Sequence, residues 1–335
     1  MILVTGASGL LGSHLLLTLL SEESKVRALI RSEEAKKKIK KIFSCYHSDV
    51  DLLMSKIDWV YGDVTNRSTL EKAFEGIKNV YHCAAYVSFS QAAHEKMKAV
   101  NVGGTEAVVD LCLQYRVDKL LHVSSIAAIG KPGLCKVITE ECAYPTGILS
   151  AYAETKTDSE KRVWQGIEKG LNAVIINPSV ILGPGDLHSS SGKITKQAAQ
   201  KVLFYTKGIT GFVDVRDVAR AMKLLMNSEI RSERFILNAW NKSYQELFTK
   251  LSVALGKKAP KVYAPPWLTE LVWRVSLLVS KLRGVEPNLT KASARAAHRV
   301  QNYSSEKLTE AINFTYCTFD ASIQHIASHY SKFNG

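Results

Sequence analysis

The feature that most limits the fold of this chain is a regular exchange of short apolar runs and helical patterns across its first two-thirds. The runs ILVTG (2–6), KVRALI (25–30), IDWVYG (57–62), NVYHCA (79–84), KLLHVSS (119–125) and NAVIINP (172–178) predict strands. Helical spacing fills the gaps at 10–21, 33–44, 67–75, 92–115 and 149–169. Strands that alternate with helices predict a parallel sheet covered on both faces, the doubly wound α/β arrangement of Rossmann type. After Pro178 the rhythm breaks. The loop GPGDLHSSSGK (183–193) leads to a predicted helix near 193–206, the chain returns to the core at 211–226 and 234–240, and 243–335 reads as mostly helical.

The first strand and helix meet in ILVTGASGLLGSHLLLTLL, with Gly6, Gly9 and Gly12 in the turn. Residues without Cβ let a backbone approach a pyrophosphate closely, and a helix start offers free N–H groups to anionic oxygens. Placed at the first strand–helix turn of such a fold, the triplet predicts a dinucleotide site that includes Ser8, Leu10 and Leu11. About 20 residues on, an NAD site usually carries an acid. Here Arg31 occupies that place, with no acid before Glu33. An arginine suits a ribose 2′-phosphate better than a hydroxyl, so NADP(H) is preferred over NAD(H). Lys36 is a candidate helper, while Arg27 reads as solvent-facing. The expected division is a dinucleotide-binding domain from 1–178 and 211–239, and a smaller, mostly helical substrate-binding lobe from 179–210 and 240–335.

The net charge of +13 raises nucleic acid as a partner, but the basic residues are spread over the chain and no nucleic-acid motif accompanies them. The densest run, AKKKIKKIF, reads as a solvated helix face with Ile39 and Ile42 turned inward. Six scattered cysteines show no metal-like spacing and read as reduced thiols of a cytoplasmic protein. Because MILVTG reads directly as a strand with no basic stretch before it, no signal peptide is expected. The segment APPWLTELVWRVSLLVSKLRG is interrupted by Glu270, Arg274 and Lys281, so no transmembrane segment is expected. Its apolar residues follow helical spacing. Core packing is the first reading, with a substrate lid or a membrane-surface helix as the alternatives.

Tyr-x-x-x-Lys, which sets a phenol one helical turn from an ammonium, occurs three times: Tyr115–Lys119, Tyr152–Lys156 and Tyr303–Lys307. Ligands of a doubly wound sheet bind at the carboxyl ends of its strands. Tyr115 precedes a strand and so falls at the opposite edge, while Tyr303 lies in the C-terminal lobe. Only Tyr152 follows the strand ending in Ser124–Ser125 and precedes the one ending in Asn177–Pro178. A phenolate favoured by a neighbouring ammonium is a candidate acid–base group for proton transfer.

The marks TGASGLLG, GDVTN, HCAA, NVGGT, HVSSIAAIG, YAETK, NPSVILGPGD and FVDVRDVA resemble, over nearly the whole chain, the extended branch of the short-chain dehydrogenase/reductase superfamily. This branch includes the NAD-dependent epimerase/dehydratase family. The resemblance implies Ser125, Tyr152 and Lys156 as the catalytic set. It also implies that Asp63 and Val64 cap the adenine, Ala84 and Ala85 line the cofactor groove, Asn101 braces the sheet end, and Ser124 and Pro178 lie beside the cofactor. Ile129 stands where the family usually has an aromatic residue. Of the family's reactions, a dehydratase needs an Asp–Glu pair after the serine, where SSIAAIG is apolar. The sequence is similar in character to the dihydroflavonol-reductase-like and 3β-hydroxysteroid-dehydrogenase-like groups, which implies an oxidoreductase acting on a carbonyl or alcohol. The alternatives are a nucleotide-sugar epimerase with retained cofactor and a non-catalytic NADP(H)-binding regulator. Trp267, Leu271, Trp273 and Leu278 suggest an apolar substrate. Candidate substrate contacts are Ser88, Phe89, Ile126, Ile181 and His188. The resemblance implies a monomer or a homodimer.

Overall fold

The computed structural model describes residues 1–22, 25–88, 91–131, 136–147, 149–187, 189, 191–200, 202–283 and 289–334. Seven parallel strands form the main sheet, in the order Glu233–Leu237, Ala173–Pro178, Lys119–Val123, Asn79–His82, Ile2–Thr5, Val26–Ile30 and Ile57–Tyr61. The six expected strands are all present, each shortened by one or two residues, and RFILNAW supplies the seventh. From Ile2–Thr5 the chain builds outward to Ile57–Tyr61, then crosses back to Asn79–His82 and builds the other way. The order therefore reverses between Ile2–Thr5 and Asn79–His82, and a crevice opens beyond those two strand ends.

Side chains alternate across the sheet, so neighbouring residues serve opposite cores. Val4, Ala28, Ile30, Tyr81, Leu121 and Val174 meet Leu15, Leu16, Leu19, Met222 and Leu225 from helices Leu10–Leu20 and Val215–Asn227. Leu3, Leu29, Val80, Leu120 and Ile175 meet Phe74, Val108, Leu111 and Val163 on the other face. In the second helix, Glu33–Phe43, Ile39 and Ile42 are buried as expected. The segment expected as helix 92–115 is interrupted by a π-helical stretch, Lys98–Gly103, ahead of helix Gly104–Gln114. Such stretches inside helices recur at functional sites, and here the stretch carries Asn101.

The smaller lobe is built on a second sheet, Val180–Leu182 parallel to Ile209–Asp214 and Trp240–Ser243 antiparallel to it. Leu182, Phe212, Leu247, Leu251, Phe319 and Ile323 form its core. Strand Ile209–Asp214 thus belongs to this sheet, while helix Val215–Asn227 and strand Glu233–Leu237 pack on or in the main one. The helix expected near 193–206 is Gly192–Ala199, because the chain then extends and pairs Phe204–Tyr205 with Val262–Tyr263.

Two expectations are corrected. Arg27 is not solvent-facing: parallel register sets it beside Asp58, 2.8 Å away, and its guanidinium also donates to the Ala73 and Glu75 carbonyls. Helix Pro266–Arg283 is not core packing. Its apolar face is exposed, because helix Lys291–Ala296 and the turn after it engage its polar residues, through Glu270–Arg295 and Thr269–His298. Among the described residues no helix is long and apolar enough to cross a membrane. The described cysteines 45, 83, 112, 142 and 317 are unpaired.

Candidate active site

The glycine turn is shaped by close approaches. Gly6 has φ +67°, and a Cβ there would lie 2.5–2.7 Å from the Cys83–Ala84 backbone at the end of the neighbouring strand. A Cβ on Gly12 would lie 2.2 Å from the Gly6 carbonyl oxygen. Gly9 is exposed, and neither a side-chain cap nor an acid in the first turn claims the N–H groups at the start of helix Leu10–Leu20. Ser8 and Leu10 are half-buried in this turn and Leu11 is buried beneath it. Gly185 comes close over Leu10: a Cβ there would lie 2.8 Å from Leu10 Cδ1, so the loop after Pro178 reaches the same turn. Bare backbone at a helix start, opposite a strand end, fits a dinucleotide pyrophosphate. Gly12→Ala is expected to lower the melting temperature and weaken cofactor binding at least tenfold, since backbone and not a flexible side chain blocks the new methyl. Unchanged titration of the reduced nicotinamide nucleotide's fluorescence by that variant would refute the assignment of the turn.

At the outer end of the crevice Arg31 is exposed, with Nη1 3.9 Å from Asp63 Oδ2. The other Asp63 oxygen accepts from Thr65 N at 2.9 Å and Thr65 Oγ1 at 2.8 Å. Val64 is buried against Gly104. Lys36 pairs with Glu33 at 2.9 Å and lies over the Tyr61 ring, so the first acid after Arg31 already has a cation. Ala84 is half-buried and Ala85 exposed at the end of strand Asn79–His82. Buried Asn101 accepts from Tyr86 N at 2.7 Å, donates to Tyr86 O at 3.1 Å and to Thr155 Oγ1 at 3.1 Å. It ties the loop after that strand to helix Ala151–Glu168. His82 bridges Thr5 and Thr105 at 2.7 and 3.0 Å, and burial drives its pKa down to about 3, so it is a neutral brace.

Ser150 caps helix Ala151–Glu168 by accepting from Ala153 N, and Tyr152, Lys156 and Glu160 recur every fourth residue along one face. Lys156 is buried and donates to the carbonyl of Val123, 2.8 Å away, at the end of the strand that leads into Ser124 and Ser125. Ser125 accepts from Ala127 N at 3.1 Å, and its hydroxyl lies near enough to the Tyr152 phenol to pull that group's pKa down. The sequence-derived set thus meets at the carboxyl ends of the strands. Ser124 is different. Its hydroxyl turns inward and donates to Glu160 Oε2 at 2.6 Å, away from Tyr152.

The electrostatics differ from expectation in one respect. Burial raises the Tyr152 pKa, opposed only by the nearby Ser125 hydroxyl. Burial lowers Lys156 to about 8, while Glu160 and Cys83 pull it back up. The protein alone does not lower the phenol, because desolvation prevails.

Sequence reasoning missed Glu160 and Arg234. Glu160 is fully buried and also accepts from Asn177 Nδ2 at 2.7 Å and Arg234 Nη1 at 3.2 Å. Asn177 in turn donates to the Ser125 carbonyl at 3.0 Å. The signal was available: Glu160 continues the spacing of Tyr152 and Lys156. Pro178 is buried at the end of its strand. Of the candidate substrate contacts, Ser88 is half-buried, Ile126 packs against the small cluster of Ile129, Ile138, Ile236 and Tyr303, and Ile181 packs against the larger core. Phe89 and His188 lie outside the described residues.

Comparison with known proteins agrees with this geometry. The profile of the NAD dependent epimerase/dehydratase family matches residues 2–238. The "Sterol demethylase protein B" of Methylococcus capsulatus is 30% identical over 273 residues, covering 80% of this chain and 78% of the relative. A Synechocystis protein named "Putative dihydroflavonol 4-reductase" is 27% identical, covering 92% of this chain and 88% of its own. The crystal structure of UDP-glucose 4-epimerase from Thermotoga maritima superposes with a TM-score of 0.76 over 99% of this chain and 98% of that one, at 18% identity, a likeness of fold.

Proposed function

The chain belongs to the NAD-dependent epimerase/dehydratase family, and from that membership we propose that it is an NADP(H)-dependent oxidoreductase interconverting a carbonyl and an alcohol. The observation that carries the proposal is the meeting of Ser125, Tyr152 and Lys156 at the same sheet end as the glycine turn. When bound, the nicotinamide supplies or accepts the hydride. In the reducing direction Tyr152 gives its proton to the substrate oxygen, a role that a phenol with a raised pKa fills in its neutral form at pH 7. The Ser125 hydroxyl donates to that oxygen as charge develops on it. Lys156, protonated, stabilises the phenolate left behind. Ser124, Asn177 and Glu160 hold Ser125 and the helix in register.

Arg31 supports NADP(H), since its guanidinium is exposed at the adenine end while Glu33 is occupied by Lys36. Arg31→Asp should weaken NADPH about ten- to hundredfold, the worth of one charge-assisted hydrogen bond, and leave NADH nearly unchanged. Equal loss for both nucleotides would remove the argument. Relatives named for a sterol and a dihydroflavonol support an apolar substrate over a sugar diphosphate. The test is NADPH consumption with a panel of apolar ketones and aldehydes. Interconversion of a nucleotide sugar without net change at the nicotinamide band would replace this reading with an epimerase.

The proposal carries a pH dependence. Because Lys156 must be charged and its pKa is lowered to about 8, kcat/KM for reduction should fall as pH rises through that value. Lys156→Arg, which stays charged, should carry the fall to higher pH. A wild-type profile flat to pH 10 would refute the role given to the lysine.

A further inference from the structure

Helix Pro266–Arg283 is the one long helix whose described side chains join none of the hydrophobic cores. Trp267 is 68% exposed, Leu271 54%, Val275 52% and Leu278 61%, with Val272 and Val279 exposed beside them. At about 100° per residue these six lie within an arc of about 140°, a continuous stripe. The strand that precedes the helix, Val262–Tyr263, and its partner Phe204–Tyr205 carry further exposed apolar residues, Leu203, Phe204, Val262 and Tyr263. Contiguous exposed apolar surface of this kind marks an interaction site.

The charge around it identifies the partner. Nine lysines and arginines but only two glutamates occur between Gly256 and Val300. Lys257, Lys258, Lys261, Lys291 and Arg299 are exposed, and Lys207 lies 4.9 Å over the Tyr263 ring. Glu270, the acid on the helix, is already held by Arg274 and Arg295. A second copy docking face to face would set this basic surface against itself, which costs repulsion. An apolar stripe with a tryptophan and a tyrosine at one end and cations around it suits a lipid headgroup layer.

We propose that this lobe docks on an anionic bilayer surface, with helix Pro266–Arg283 lying in the headgroup plane. Its cations meet lipid phosphates, and its stripe enters the acyl boundary without spanning the membrane. The full chain, in flotation with phosphatidylcholine vesicles with and without phosphatidylglycerol, should bind the anionic vesicles at least about tenfold more tightly and release in high salt. Its tryptophan fluorescence should shift to the blue on binding. Val275→Glu with Val279→Glu, and separately Lys257→Glu with Lys258→Glu, should each cut vesicle binding about tenfold without changing the melting temperature. Should the valine variant misfold, Trp267→Phe decides, because most of the blue shift must vanish with that indole. The proposal is overturned by absence of vesicle binding, by equal binding of the substituted proteins, by persistence of the shift in Trp267→Phe, or by a concentration-dependent dimer that the valine substitutions dissolve.

Discussion

Tyr152→Phe is expected to lower kcat for carbonyl reduction by about 10²–10⁴-fold while leaving the NADPH dissociation constant nearly unchanged. The ring stays, so the packing of helix Ala151–Glu168 stays; only the hydroxyl that Ser125 influences is removed. Among the described residues the polar neighbours are engaged elsewhere, Lys156 with the Val123 carbonyl and Ser124 with Glu160, so on the proposed mechanism neither replaces the lost donor. Ser125→Ala should retain more activity, since it removes a hydrogen bond to the oxygen but leaves the proton donor in place. Single-turnover absorbance at the nicotinamide band separates these losses from any change in product release. Undiminished turnover in Tyr152→Phe would end the assignment. A loss shared equally by the binding constant would reduce Tyr152 to a packing residue.

What was legible in the sequence was whatever local pattern and chain order determine. Strands buried on both faces are apolar throughout, so six of the seven could be read directly. Tyr152 and Lys156 share one helix, and topology alone separated them from the two decoys. Tyr115 ends a helix ahead of strand Lys119–Val123, and Tyr303 sits on a short strand against Val137–Ile138. Illegible were contacts set by register or by what covers a face. The Arg27–Asp58 pair depends on how two parallel strands align, and the Arg234–Glu160 pair on the edge strand lying beside strand Ala173–Pro178. Helical spacing in Pro266–Arg283 revealed an apolar face but not that it stays uncovered. The pKa of Tyr152 belongs to the same class, because burial outweighs the charge that sequence spacing suggests.

The largest expected loss of stability follows from Glu160. Its carboxylate is fully buried, and Ser124, Asn177 and Arg234 converge on it. Glu160→Ala leaves the Arg234 guanidinium, itself only 15% exposed, without its counter-ion, and should cost about 3–5 kcal/mol in denaturant unfolding. Glu160→Gln keeps the volume and most hydrogen bonds and should cost less. It still removes the charge that opposes desolvation of Lys156, so the Lys156 pKa should move below about 8. The sign follows from linkage. Between the lowered folded value and the ordinary lysine value of 10.5 the unfolded chain holds the extra proton, so this lysine makes stability rise with pH across that window. In Glu160→Gln the window widens downward, and the deficit relative to the parent protein is larger at pH 7 than at pH 10. The alkaline fall in kcat/KM should move to lower pH in the same variant. A purely structural role would lower stability and leave that fall in place, so a Gln variant that melts early but titrates like the parent would confine Glu160 to the fold.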